Sequence, residues 1–445
     1  MYRIAVIGSG VAGLAAARRL AETPGGHRVT LLEAGGHFGG HANTVDMTLD
    51  GVSQGVDTGF LVFNHRTYPL LTQLFEELQL PTAAAEMSFS VQVPQADGRE
   101  GLEWSGSSLG SVFAQRSNLL RPRFLKMLAE ILRFNRLATH IAREGDEAGL
   151  HSSIEVFLDE HGFGTAFRQD YLLPMMGCIW SCPTDQMLRF PVATLIRFCH
   201  NHGLIQVSNR PQWHTVRGGS RQYVRRMLSA LQQDGSHEAR LNAPVLGLRR
   251  VAHGVLLQME HGTEHFDAVV LACHSDQALR LLGLDATPQE RSVLAAIRYQ
   301  PNQAVLHTDA SVLPSRKAAW AAWNYERAAD AGRDQTGVCL HYLINRLQPL
   351  PWQQPVMVSL NPVRPIDDSK VHARIEYSHP VFDLAAIRAQ AQVGALQGLR
   401  RTWFCGAWCG YGFHEDGLRS GLDAADALLD ALPKLPVNPV IRGAA

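Results

Sequence analysis

The stretch GSGVAG, Gly8 to Gly13, constrains this chain more than any other short segment. It follows Tyr2–Ile7, a mostly apolar run suited to a strand buried on both faces, and opens onto VAGLAAARRLAE, an alanine-rich helix pattern. Glycines at 8, 10 and 13 thus give G-x-G-x-x-G at a strand-to-helix turn. Gly8 permits the tight turn, Gly10 lets backbone approach a pyrophosphate, and Gly13 allows close packing of helix on strand. A second run, Arg28–Leu32, ends in Glu33, 20 residues past Gly13. At that spacing a carboxylate accepts hydrogen bonds from an adenosine ribose and disfavours a 2′-phosphate. The helix N-terminus presents free amides and the positive end of its dipole to the phosphates. An α/β, Rossmann-like dinucleotide-binding domain is the expectation.

The chain of 445 residues is long enough for two or three structural units around a large core. Its 41 basic side chains balance 41 acidic ones, which argues against wholesale nucleic-acid binding. Seven scattered cysteines read as thiols of a reducing compartment, so a cytoplasmic location is expected. Cys178 and Cys182, like Cys405 and Cys409, are four apart, but zinc sites show tighter pairs with histidines in register, and no metal is expected. The N-terminal apolar run is too short for a signal segment, and no stretch of 18 apolar residues spans a membrane.

Further glycines follow the fingerprint: GGHANT at Gly39–Thr44, with Gly39, Gly40 and His41, and VDTGFLVFN at Val56–Asn64, with Gly59. They point to a longer, folded-over ligand than NAD. Here the sequence resembles the flavin-containing amine oxidase superfamily, and the anchors continue through HTVRGGSRQYVRRML (His214–Leu228), APVLGLRR (Ala243–Arg250), FDAVVLACHSDQALRLL (Phe266–Leu282) and WFCGAWCGYGFHEDGLRSGLDAADAL (Trp403–Leu428). The phrases DTGFLVFNHRTYP and GFHEDGLRSG are closest to a bacterial subgroup of FAD-binding proteins linked to cyclopropane-fatty-acid synthase-like enzymes. The resemblance implies FAD. Its ADP half would lie on the first unit, the adenine near Pro244 and Val245, and the flavin ring beside the final block with Gly406 and Gly417. Three departures weaken amine oxidation: His41 and Ala407 replace an arginine and an acid common in the superfamily, and Gln303 stands where many members hold a lysine.

Because the anchors are discontinuous, the resemblance implies an interleaved two-domain flavoprotein. Residues 1–85, 210–280 and 395–432 would form the FAD-binding domain, 86–209 and 281–394 an α+β substrate domain, helical in its first part, and 433–445 a loose tail. Val338–Leu343 and Val356–Leu360 read as strands of the substrate domain. Arg116–Arg143 has helical periodicity, with Phe124, Leu128, Ile131, Leu132 and Ile141 on one face and seven basic residues against Glu130 alone. Two readings stand: a solvated helix over the substrate domain, or peripheral contact with the inner face of a membrane. LLPMMGCIW, Leu172–Trp180, reads as core or as the lining of an apolar substrate pocket.

With FAD bound, the chain would be an oxidoreductase oxidising or desaturating an apolar small-molecule or lipid substrate, such as a membrane-lipid acyl chain. The alternatives are oxidation of a small amine and a non-catalytic FAD-binding scaffold. In CGYGFHEDGLRSG, Cys409–Gly421, a helix is expected over Leu418–Leu428 with its amides toward the flavin. Matched on Gly417, His414 falls where many amine oxidases place an aromatic cage residue, with Tyr411 nearby. Both are candidate catalytic residues, His414 for orienting substrate or exchanging a proton near neutral pH. Glu415 and Asp416 read as helix N-terminal acids.

Overall fold

The computed structural model describes residues 1–94, 101–144, 152–206, 210–233, 235–328 and 338–435. The opening strand Tyr2–Ile7 lies inside a parallel sheet ordered Thr402–Phe404, Ala268–Leu271, Tyr2–Ile7, His27–Leu32, Glu238–Arg240. Ile4, Ala5 and Val6 are fully buried there, as expected of a strand covered on both faces. Helix α1, Val11–Glu22, follows directly and covers one face. The antiparallel strands Val245–Val251, Gly254–Met259 and Gly262–Phe266 form a separate sheet that leads into Ala268–Leu271. The alternation before Ala268 reads as that hairpin and the apolar run after it as a buried strand.

A second, larger sheet of mixed direction is ordered Val371–Val381, Arg298–His307, Met357–Leu360, Cys339–Leu343, Trp323–Glu326, Phe89–Val93, Leu102–Ser105. Trp323 pairs with Phe89, and Trp104 with Val91, so these side chains share one face of the sheet. Several helices border the site. They are α2 (Pro69–Glu77), the short α3 (Leu109–Val112), α4 (Pro122–Glu144), α5 (Leu173–Trp180), α6 (Val192–Asn201) and α7 (His414–Ala431).

Two helices differ from the sequence reading. The basic amphipathic segment starts as a 3-10 turn, Arg116–Leu120, and becomes α-helical only at Pro122, whose fixed φ suits a first helical turn. Phe124 and Met127 of α4 are buried, whereas Leu132, expected on the inner face, is 47% exposed. The last helix begins at His414, four residues before the expected Leu418. The backbone amide of Phe413 donates to the Asp416 carboxylate at 3.0 Å, closing the first turn early.

Gly417 and Gly421 explain why α7 carries GLRSG. A Cβ on Gly421 would lie 2.2 Å from the Ala12 carbonyl oxygen, and one on Gly417 2.7 Å from Val11 Cγ1. With glycine at both, α7 packs backbone against α1. The residues ahead of α7, Tyr411 to Phe413, are thereby held beside the glycine turn of Gly8–Gly13. Among the described residues no helix is long and apolar enough to cross a membrane.

Candidate functional site

A cavity of about 1710 Å³ runs between the two sheets. Ordinary small-molecule sites occupy about 300–1,000 Å³, so this one has room for two ligands end to end. Gly8, Gly10, Glu33, Val245 and Arg280 line one end. Gly39, Gly40, His41, Gly59, Gly406, Tyr411 and His414 line its middle. The other end is an apolar arm walled by Phe89, Trp104, Ile131, Met175, Ile179 and Trp323.

The first end has the form of a phosphate cradle. Gly13 could not be alanine without movement, since its Cβ would stand 1.9 Å from the Gly8 carbonyl oxygen. Gly10, by contrast, has nothing within 4 Å of where a Cβ would sit, so its backbone faces free space. No side chain caps α1, whose first residues Val11 and Ala12 line the cavity, leaving the first-turn amides for an anion. Glu33 accepts from the Ser9 amide at 3.0 Å, the Ser9 hydroxyl at 2.5 Å and the Gly35 amide at 2.8 Å. A carboxylate has about four acceptor positions, so Glu33 keeps capacity for a hydroxyl ligand.

The middle is lined by histidines that burial keeps neutral. His41 stacks on Tyr377 with 4.7 Å between ring centroids, and His379 and His274 lie 5.2 and 6.4 Å away. Desolvation, reinforced by these imidazoles, holds His41 well below the ordinary histidine range, and burial lowers His379 to about 4. His41 Nε2 is buried without a hydrogen-bond partner. Such an orphan invites a ligand atom, because an unpaired buried polar group costs about 1–3 kcal/mol. A flavin dinucleotide fits this donor set: free amides for phosphate, a carboxylate for ribose, and neutral imidazole beyond.

His414 stacks on Phe60 at 3.8 Å, and its Nε2 lies 3.2 Å from the Tyr223 hydroxyl. Burial pushes its pKa down to about 3. Proton exchange by an imidazolium at neutral pH, one of the two roles expected from sequence, therefore lacks the charged form; the neutral ring retains its orienting capacity. The acids beside it are structural. Glu415 accepts from the backbone amides of Leu70 and Leu71, both at 3.0 Å, satisfying the N-terminus of α2 rather than its own helix.

Several residues of the site carry no sequence signal. Phe198, His202, Trp213 and Phe413 stack between His414 and the apolar arm, with 3.9 Å between Phe198 and His202 and 4.9 Å between Phe198 and Phe413. Phe198 and His202 are four apart, Trp213 follows 11 residues later, and Phe413 comes from the far end of the chain. Tyr377 and His379 are two apart on one strand, so a period of two was their only trace. Tyr68 lines the cavity, whereas His65, in the same phrase, is exposed and packs on His214 at 4.6 Å. Gln303 lies outside the cavity, donating to Glu376 at 3.1 Å. No lysine lines the cavity among the described residues.

A parallel sheet with a glycine cradle, joined to a second sheet across a long cavity, is the architecture of a two-domain α/β flavoprotein. The sequence profile of the flavin-containing amine oxidoreductase family matches residues 11–429, and the chain belongs to that family. AofH of Mycobacterium tuberculosis, provisionally assigned as a flavin-containing monoamine oxidase, is 27% identical over 285 residues. That match covers 60% of this chain and 56% of AofH, so it spans little more than half of the relative's length. A structure from Exiguobacterium sp. 255-15, provisionally assigned as a protoporphyrinogen oxidase, superposes with a TM-score of 0.67 at 16% identity over 96% of this chain and 98% of its own. A CLA-producing fatty acid isomerase from P. acnes gives 0.63 at 17% identity, over 96% and 98%. At these identities the likeness is one of fold, that of the amine oxidase-like two-domain flavoproteins.

Proposed function

We propose that this protein is an FAD-dependent oxidoreductase that oxidises or desaturates an apolar substrate, a fatty-acyl chain of a membrane lipid. The observation that carries the reading is the apolar arm that continues the cofactor cavity past His414. FAD rather than a mononucleotide is supported by the length of the lining, from Val245 through Gly10 to Gly406. Residues 1–85, 210–280 and 395–432 would form its domain, since they contribute every strand of the parallel sheet, and residues 86–209 and 281–394 the substrate domain around the larger sheet.

When bound, the flavin supplies a two-electron acceptor for a substrate C–H bond. The chain's own residues would bind the pyrophosphate at Gly10 and the α1 amides, the ribose at Glu33, and the ring region along Gly59, His41 and Gly406, whereas Gly417, expected beside the ring, lies outside the cavity lining and packs on Val11. Phe60 and Tyr223 fix the plane of His414, which with Tyr411 would orient the substrate at the junction of the two cavity halves. Met175, Ile179, Trp104 and Ile131 would exclude water and hold the chain by apolar contact, at about 0.8 kcal/mol per buried methylene.

An amine substrate is supported less well. Among the described residues Glu33 and Glu86 are the carboxylates lining the cavity, and Glu86 already accepts from Arg346 at 2.7 Å and Ser88 at 2.5 Å. Because the Arg346 guanidinium already compensates the Glu86 charge, an ammonium group in the arm would meet no uncompensated carboxylate. The experiment is a comparison of membrane lipids from cells with and without the protein. Altered acyl chains support the proposal; unchanged lipids, together with rapid flavin reduction by an amine, reverse it.

A further inference from the structure

Around the open side of the apolar arm, residues of the cavity wall are themselves exposed. Leu109 of α3 and Leu132 of α4 both line the cavity, yet are 80% and 47% exposed. Leu119, Leu120 and Leu125, between them in sequence, are also exposed, Leu120 at 87%. Among the described residues five exposed leucines thus fall within 24 residues around the arm, while a shorter run, Leu241, Leu246 and Val251, lies beside Val245 at the opposite end of the cavity.

The helical period places the rim. At about 100° per residue, Leu128, Ile131, Leu132 and Asn135 of α4, all cavity residues, share a stripe about 100° wide. Leu125, Ala129 and Arg136 fall on roughly the next 60° of helix surface, and all three are exposed. One edge of α4 therefore faces the cavity and the adjoining edge faces solvent, with leucine on both.

Charge along the same segment has one sign. Residues 116–143 carry Arg116, Arg121, Arg123, Lys126, Arg133, Arg136 and Arg143. Their single acid, Glu130, is buried and accepts from the Gly164 amide. Arg123 pairs with the buried Asp170 but keeps its side chain 65% exposed. Lys317 lies on a 3-10 turn packed against α3, adding a further cation beside Leu109. Exposed leucines interleaved with basic residues form a face that an aqueous surface does not reward and a lipid headgroup layer does.

We infer that α3, the Arg116–Leu120 turn and the first four turns of α4 form a docking surface for an anionic lipid bilayer, setting the mouth of the apolar arm against the membrane. Leucines 109, 119, 120, 125 and 132 enter the acyl boundary, while Lys126, Arg136 and their neighbours meet lipid phosphates. The acyl-chain reading enters only in what passes through the mouth; the docking itself stands on the exposed face. It also places α4 on the membrane surface rather than only over the substrate domain.

The test is flotation of the flavin-loaded full chain with vesicles of phosphatidylcholine alone and of phosphatidylcholine with phosphatidylglycerol, at near-physiological salt. Binding to the anionic vesicles and much weaker binding to the neutral ones are expected. Lys126→Ala with Arg136→Ala should weaken binding about 25-fold, at about fivefold per charge. Leu120→Ser with Leu125→Ser, both outside the cavity lining, should weaken it by about tenfold per leucine and leave flavin content and melting unchanged. Leu284→Ser, at a fully exposed leucine far along the chain, should change nothing. Equal binding to neutral vesicles, or full binding by the Leu120/Leu125 variant, overturns the proposal. So does absence of vesicle binding with concentration-dependent self-association lost in that variant, which assigns the face to a second copy. Reduction of the flavin by a detergent-dispersed acyl lipid despite no vesicle binding would sink the docking alone and leave the acyl-chain reading intact.

Discussion

Two alanine substitutions in one motif should separate fold from cofactor. A Cβ at residue 13 would lie 1.9 Å from the Gly8 carbonyl oxygen and 3.1 Å from Ala272 Cβ, so Gly13→Ala must push α1 away from the turn. Overpacking of this kind costs about 1–3 kcal/mol, and the contact is backbone, which yields little. Gly10 has φ −61° and ψ 176°, a conformation alanine adopts freely, with nothing within 4 Å of its Cβ. Gly10→Ala gains about 0.4–1 kcal/mol from a stiffer unfolded chain and loses a comparable amount as a poorer N-cap, a net change near zero. Its effect should fall on the ligand, because the new methyl occupies the space through which pyrophosphate reaches the α1 amides. Losing one hydrogen bond to a charged group costs about 1.5–3 kcal/mol, or about 10- to 150-fold in flavin affinity. Urea melts of the flavin-free proteins and flavin titrations measure the two effects separately. Wild-type affinity in Gly10→Ala would refute the cradle, and an undisturbed melt of apo Gly13→Ala would refute the packing argument.

Three further outcomes follow from the site and its support. His414 has a folded-state pKa of about 3, below its unfolded value, so the unfolded chain binds the extra proton and stability falls as pH drops from about 6.5 toward 3. His414→Gln should therefore show a shallower loss of urea stability than wild type across that window, by up to one proton; an identical slope would mean the ring is not held neutral. Ile131→Trp should shorten the apolar arm, raising KM for long acyl chains more than for short ones at constant flavin content; a length-independent effect would place the chain elsewhere. Arg250→Ala should cost about 3–5 kcal/mol by stranding Glu290, which is fully buried and bonded to that guanidinium at 2.5 and 3.0 Å; a calorimetric or urea measurement of stability checks it.

The cofactor half was readable because its physics is local. Gly8, Gly10, Gly13 and Glu33 sit within 26 residues, and each is demanded by a turn, a close approach or a ribose-spaced carboxylate. Gly417 and Gly421 were visible as a motif, but their purpose, contact with Val11 and Ala12, required the fold. His414 was placed by resemblance, yet its loss of basicity comes from burial against Phe60 and Tyr223, partners more than 190 residues away in sequence. Phe198 and His202 share the four-residue spacing of a helix, but only tertiary packing sets that pair against Trp213 and Phe413. The basic segment showed its charge but not its rim, which appeared only once Leu109 and Leu132 were seen on the same cavity.

The central claim is that the apolar arm delivers an acyl chain to the flavin. It is tested most directly by anaerobic rapid mixing of the flavin-loaded protein with dispersed acyl lipids and, separately, with a panel of small primary and secondary amines. Bleaching of the visible flavin absorbance by an acyl lipid, slowed in Ile131→Trp, is the predicted result. Bleaching by an amine while every acyl lipid leaves the flavin oxidised would contradict it.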